Sequence, residues 1–113
     1  MEVTLQTIKD NPLVNDYLKI GNTYIGNIGA LEHNVQHAEY TSDLCRHILT
    51  QLGCSEREAE LGAIAGYLHD IGNLINRYGH GMSGALMAFD ILMDLGMKPE
   101  EIATIIGAIG NHE

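Results

Sequence analysis

Residues 55–72 read Ser-Glu-Arg-Glu-Ala-Glu-Leu-Gly-Ala-Ile-Ala-Gly-Tyr-Leu-His-Asp-Ile-Gly. Ser55 followed three residues later by Glu58 is a capping box, in which each side chain satisfies the other residue's backbone N–H, so a helix opens here. Its interior is built of small residues, Ala59, Ala63 and Ala65 around Gly62 and Gly66, which lie one turn apart. Glycine inside a helix costs about 0.5–1 kcal/mol against alanine, a cost offset where a second helix must come close. The helix is expected to run to about His69. Adjacent side chains in a regular helix point roughly 100° apart, so His69 and Asp70 face one site only if the backbone leaves helical geometry there. Gly72 is placed to supply that break.

Working outward, the apolar pattern is helical nearly throughout. Toward the N-terminus, a helix is expected from about Leu31 to Leu52, with Leu31, Val35, Ala38, Leu44, Ile48 and Leu52 on or near one face. Gly53 stands where a C-terminal cap belongs. Asn11-Pro12 separates a short first segment from a second one, because proline suits a helix start. Gly21, Gly26 and Gly29 predict an irregular or kinked stretch before Leu31. Toward the C-terminus, residues 76–81 read as a loop and residues 82–95 as a helix closed by Gly96. Pro99-Glu100-Glu101 opens the last helix, with acids near the positive end of its dipole. No stretch alternates as a strand does. The fold class is all-α, in a single domain over residues 1–113.

The bulk properties narrow the function. Six basic against fifteen acidic residues leave a net charge of −9. Such a chain repels a phosphate backbone and has no basic face, which argues against a nucleic-acid polymer as partner. It lacks the polybasic segment that anionic lipid would attract, and no apolar run reaches the roughly 18–20 residues of a membrane span. A small phosphorylated molecule stays admissible, since a bound cation reverses the local field. Cys45 and Cys54 lack metal-finger or redox spacing, and no basic-then-apolar leader opens the sequence. The expectation is a cytoplasmic protein with reduced thiols, with self-association left open.

Six histidines are present. His33 and His37 share a helix face one turn apart. His69-Asp70 ends a helix, His80 opens one, and His112 lies close to Glu113. An imidazole beside a carboxylate suits borderline and harder divalent ions. The same residues have plainer readings: His69 as a C-terminal cap, and Asp70 as an acceptor of turn N–H groups. His47 has no partner at helical spacing and reads as a surface or packing residue. His37 is open between sharing an ion with His33 and chance placement.

Leu68-His69-Asp70-Ile71-Gly72 resembles the signature of the HD superfamily of metal-dependent phosphohydrolases. Three further stretches resemble its other motifs in order: His33-Asn-Val-Gln-His-Ala38, His80-Gly-Met-Ser-Gly84-Ala85 and Ile109-Gly-Asn-His112-Glu113. Together they span about residues 30–113. The resemblance implies a helical bundle with a central site for one or two divalent ions (iron, manganese, zinc, nickel, cobalt or magnesium). It implies that His33, His69 and Asp70 hold the first ion, that Asp70 bridges to a second, and that His80 and His112 hold the second.

The chain departs from the family pattern in three places. The final aspartate ligand would lie beyond Glu113, so the sequence is expected to be a fragment. The lysine that often follows the His-Asp motif and meets substrate phosphate is Asn73, with Arg77 one turn on as its replacement. Position 37, usually apolar, is histidine and is not a ligand by the resemblance. The activity implied is hydrolysis of a phosphomono- or phosphodiester, of a nucleotide or other small phosphorylated molecule, by a metal-activated water. Asp70 is the expected catalytic residue, and Asn73, Arg77 and His37 are the expected substrate contacts. The alternative is a metal-binding sensory or interaction domain without turnover.

Overall fold

The computed structural model describes residues 2–27, 35–75 and 78–112, with backbone alone over residues 21–27. Helices α1 (Leu5–Lys9), α2 (Pro12–Asn27), α3 (Val35–Gln51) and α4 (Glu56–Leu68) lead into a 3-10 turn, Ile71–Leu74. Helices α5 (His80–Asp94) and α6 (Pro99–Gly110) follow. Among the described residues there is no strand, so the all-α expectation holds.

Local chemistry sets the boundaries. Asn11 Oδ1 accepts the Leu13 N–H at 2.9 Å, and Pro12 is the first residue of α2. At the start of α4, Ser55 Oγ accepts from Glu58 N–H at 3.1 Å while Glu58 accepts from Ser55 N–H at 2.8 Å, the capping box read from the sequence. Helices α3 and α5 end on Gly53 (φ +84°) and Gly96 (φ +82°), left-handed positions that favour glycine. The next N–H groups, of Cys54 and Met97, donate back to the Leu49 and Leu92 carbonyls, each at 3.1 Å, which occupies acceptors a helix end otherwise leaves free.

Helix α4 is the axis of the core. From Ala63 to Leu68 every side chain or backbone position is buried, and Ile64, Tyr67 and Leu68 are essentially sealed from water. Burying an aliphatic side chain of that size contributes about 1.5–3 kcal/mol. Helix α3 lies along α4, and α6 also packs on it. The seam with α3 is as close as the glycines predict: a Cβ on Gly66 would stand 3.0 Å from the Thr41 carbonyl oxygen and 3.1 Å from Cys45 Sγ. Ser42, fully buried in this seam, donates to the Ala63 carbonyl at 2.8 Å.

At the other end of α4, Arg57 clamps three segments. Its guanidinium donates to both carboxylate oxygens of Glu101 on α6, at 2.7 and 2.8 Å, to the Val3 carbonyl at 2.8 Å, and to Glu60 at 2.9 Å.

Four local expectations change. Helix α2 continues through Gly21 and Gly26 to Asn27; its buried Val14 and Leu18 dock it on the core, and packing overrides the low propensity of glycine. Gly29 and Leu31 lie outside the described residues. Helix α5 begins at His80 instead of Met82, because Gly79 (φ +74°) turns the chain immediately before it. On α3 the buried positions are Ala38 and Ser42, while Leu44, Ile48 and Leu52 are exposed. The seam takes small residues at Gly66, and Leu49 against Gly62, while Leu44, Ile48 and Leu52 lie outside it.

Gly72 has a different role from the one the sequence suggests. Its φ is not positive, and the backbone already leaves helical geometry at Asp70 (φ −102°, ψ 8°). What Gly72 permits is contact: a Cβ there would fall on the His80 carbonyl oxygen and the Gly84 nitrogen.

Candidate metal centre

Five side chains from four places in the fold meet at one point. His37 comes from the second turn of α3, His69 and Asp70 from the junction after α4, His80 from the first residue of α5, and His112 from the end of α6. The Gly72–Gly84 contact presses the start of α5 against the 3-10 turn, which carries His80 over Asp70.

The Asp70 carboxylate is divided between two histidine pairs. Its Oδ2 lies 3.1 Å from His69 Nε2 and 3.4 Å from His37 Nε2. Its Oδ1 lies 3.2 Å from His80 Nε2 and 3.8 Å from His112 Nε2. His80 Nε2 and His112 Nε2 are 2.8 Å apart, and the His112 ring also stands edge-on to His69 with centroids 5.2 Å apart. Two three-residue groups therefore share one carboxylate: His37, His69 and Asp70 on one side, Asp70, His80 and His112 on the other.

The ring hydrogen bonds fix which nitrogens are available. His69 Nδ1 lies 2.6 Å from the Gly66 carbonyl oxygen, and His112 Nδ1 contacts that of Ile109. A carbonyl only accepts, so Nδ1 carries the proton in each ring and the neutral tautomer has a bare lone pair on Nε2. A lone pair facing a carboxylate oxygen at 3.1 Å is repulsive unless a cation stands between them. The same Nδ1–H to carbonyl bond commonly orients metal-ligating histidines.

A proton is the smallest cation that relieves this repulsion. Burial opposes charging His69, but its bond to Asp70, the carboxylate's field and the Gly66 carbonyl outweigh burial and raise the imidazole above its ordinary range. The donor set equally fits divalent ions, since bonds of about 2.0–2.2 Å put tetrahedral donors roughly 3.3 Å apart and octahedral ones roughly 2.9 Å apart. Four of the five separations, between 2.8 and 3.4 Å, lie near those edges, and the His112 Nε2–Asp70 Oδ1 distance is longer at 3.8 Å.

Exposure falls across the centre from 36% at the His37 side chain to 18% at His69, 10% at Asp70 and 9% at His80. Among the described residues of the centre, His37 on α3 is the most exposed side chain and His80 on α5 the least. The apolar cleft bounded by Cys45, Ile48, Leu49, Gly62, Ala65, Gly66 and Ala108 contains none of these ligands.

Of the residues singled out in the sequence, His69, Asp70, His80 and His112 come together as the motifs imply. His33 and Arg77 lie outside the described residues. Asn73 is 4% exposed, and among the described residues neither atom of its amide has a hydrogen-bond partner. His47 is exposed on α3. The motif pattern leaves His37 outside the ligand set, while its one-turn spacing from His33 leaves a shared ion open; the structure places its ring beside Asp70 and His69.

An all-helical bundle that gathers four histidines around one aspartate offers groups that could hold a divalent ion. The HD domain family model matches residues 31–112, and the chain belongs to the HD domain family. No curated protein and no solved structure gives a significant match.

Proposed function

We propose that the protein is a metal-dependent phosphohydrolase, cleaving a phosphomonoester or phosphodiester bond in a nucleotide or other small phosphorylated molecule. The observation that carries the reading is the division of Asp70: one carboxylate faces two histidine pairs, and it could serve both of two divalent ions held there. Divalent ions bound there supply Lewis acidity and acidify water toward neutral pH.

The chain's own groups supply the rest. His69, His80 and His112 hold the centre, with His33 joining them by the family resemblance. Asp70 fixes the spacing of the two positions and orients the attacking water through its remaining lone pairs. With a net charge of −9 the surface repels a phosphoester, and divalent ions held at the centre would make it the place that attracts one. Asn73 and Arg77 are the candidates for the phosphate oxygens.

The reading is tested by assaying the purified protein, loaded with manganese or cobalt, on bis-p-nitrophenyl phosphate and a nucleotide panel. Hydrolysis abolished by chelation, and reduced at least about 100-fold in His69→Ala, supports it. Stoichiometric metal with no product above the His69→Ala control sinks it and leaves a non-catalytic, metal-binding sensory or interaction domain.

A further inference from the structure

We infer that His37 is a direct protein ligand of the ion held by His69 and Asp70, and that it makes this position nitrogen-rich enough to exclude magnesium. The inference rests on the reading of the centre as metal-binding and concerns a position the family resemblance leaves outside the ligand set.

Three observations carry it. The first is placement. The α3–α4 seam, where a Cβ added to Gly66 would stand only 3.0 Å from the Thr41 carbonyl oxygen, holds α3 against the end of α4. His37 is therefore positioned by its packed neighbours on α3: Ala38 is 3% exposed, and Ser42, on the next turn, is sealed.

The second is distance. His37 Nε2 lies 3.4 Å from Asp70 Oδ2, longer than the 2.7–3.2 Å of an ordinary N–H···O bond and close to the roughly 3.3 Å edge of a tetrahedral donor set. His37 and His69 approach the same carboxylate oxygen, at 3.4 and 3.1 Å, with ring centroids 5.2 Å apart and planes inclined at 55°. Two imidazoles directed at one oxygen from different sides outline a face of a coordination polyhedron. A stacked pair would instead bring the planes nearly parallel.

The third is donor chemistry. Among the described residues the two groups contain four imidazoles and one carboxylate. Magnesium demands oxygen donors in near-octahedral array and dehydrates reluctantly, whereas imidazole favours iron, cobalt, nickel and zinc. With His37 counted, the first position offers two nitrogens to one oxygen from the described residues. That balance selects a borderline transition ion.

A substrate-contact role for His37 makes a different prediction, because removing a phosphate contact changes KM and leaves metal affinity alone. The side chain is 36% exposed, so its truncation leaves the core intact. The experiment is a Co2+ titration of metal-free wild type, His37→Ala and His47→Ala, followed by visible d–d absorption and by metal content after desalting, with circular dichroism as the check on folding. The inference expects two Co2+ per chain in wild type and His47→Ala. It expects one of the two to weaken at least about tenfold in His37→Ala with a changed spectrum, and excess Mg2+ to leave the wild-type spectrum unchanged.

Two ions bound by His37→Ala with wild-type affinity and spectrum overturn the inference, as does displacement of Co2+ by millimolar Mg2+. Absence of phosphohydrolysis in a protein carrying two Co2+ would instead overturn the proposed function and leave His37's ligation standing.

Discussion

Gly72 and Gly84 meet backbone to backbone: a Cβ on Gly84 would stand 3.2 Å from the Gly72 nitrogen, and a Cβ on Gly72 would collide with the Gly84 nitrogen and the His80 carbonyl. This contact joins the 3-10 turn after Asp70 to the first turns of α5, and it fixes His80 relative to Asp70. The candidate centre thus depends on a place where no side chain fits.

Gly72→Ala should consequently lower stability by about 1–3 kcal/mol or more, since the clash is with backbone that has no rotamer to yield. Metal binding should weaken with it. Gly107→Ala is the matched control, because a Cβ there meets nothing within 4 Å on α6. It should raise stability by about 0.4–1 kcal/mol by restricting the unfolded chain. Denaturant unfolding of the two variants measures both effects.

Asn73 yields a prediction of the opposite sign from most core changes. Its amide is buried with neither atom bonded among the described residues, and an unsatisfied buried polar group costs about 1–3 kcal/mol. Asn73→Leu, of similar shape, should hold or raise the thermal midpoint of the metal-loaded protein. If Asn73 also meets phosphate as proposed, the same variant raises KM. A clear fall in stability would show that the amide has a partner in the working protein.

The Arg57–Glu101 pair sets an acid limit. Bonding to Arg57, followed by that residue's charge, holds the Glu101 carboxyl below its ordinary 4.5 despite partial burial. A carboxyl with a depressed folded value stabilises the fold fully above its unfolded value of about 4.5 and loses that contribution as pH falls through the lower folded value. Stability should therefore drop below about pH 4.5. In Arg57→Ala the pH dependence attributable to Glu101 should flatten. Unfolding free energy from pH 3 to 7 checks it, and an Arg57→Ala profile parallel to wild type would contradict it.

Much of the bundle is legible in the sequence because the signals are local. The Ser55–Glu58 box, Pro12, Pro99 and the capping glycines Gly53 and Gly96 all act within a few residues, and each stands where it was expected. The helicity of residues 21–27 is not legible, since the glycines are weak formers and the docking of Val14 and Leu18 that carries α2 onto the core is tertiary. The outward turn of Leu44, Ile48 and Leu52 is hidden for a related reason: apolar periodicity marks a face but cannot say that a glycine seam will claim the small side chains of α3 instead. Four residues of the candidate centre, His69, Asp70, His80 and His112, follow from motif order. His37 does not, because its role depends on how close α3 comes to α4, a distance set by Gly66 nearly thirty residues away.

The central claim is that Asp70 holds two ions at once, one on each carboxylate oxygen. The most direct test is elemental analysis of the purified wild type and of Asp70→Ala, each equilibrated with Co2+ and desalted. The account predicts two ions per wild-type chain and the loss of both in Asp70→Ala. An Asp70→Ala protein that still carries two ions, or a folded wild type that carries none, would contradict it.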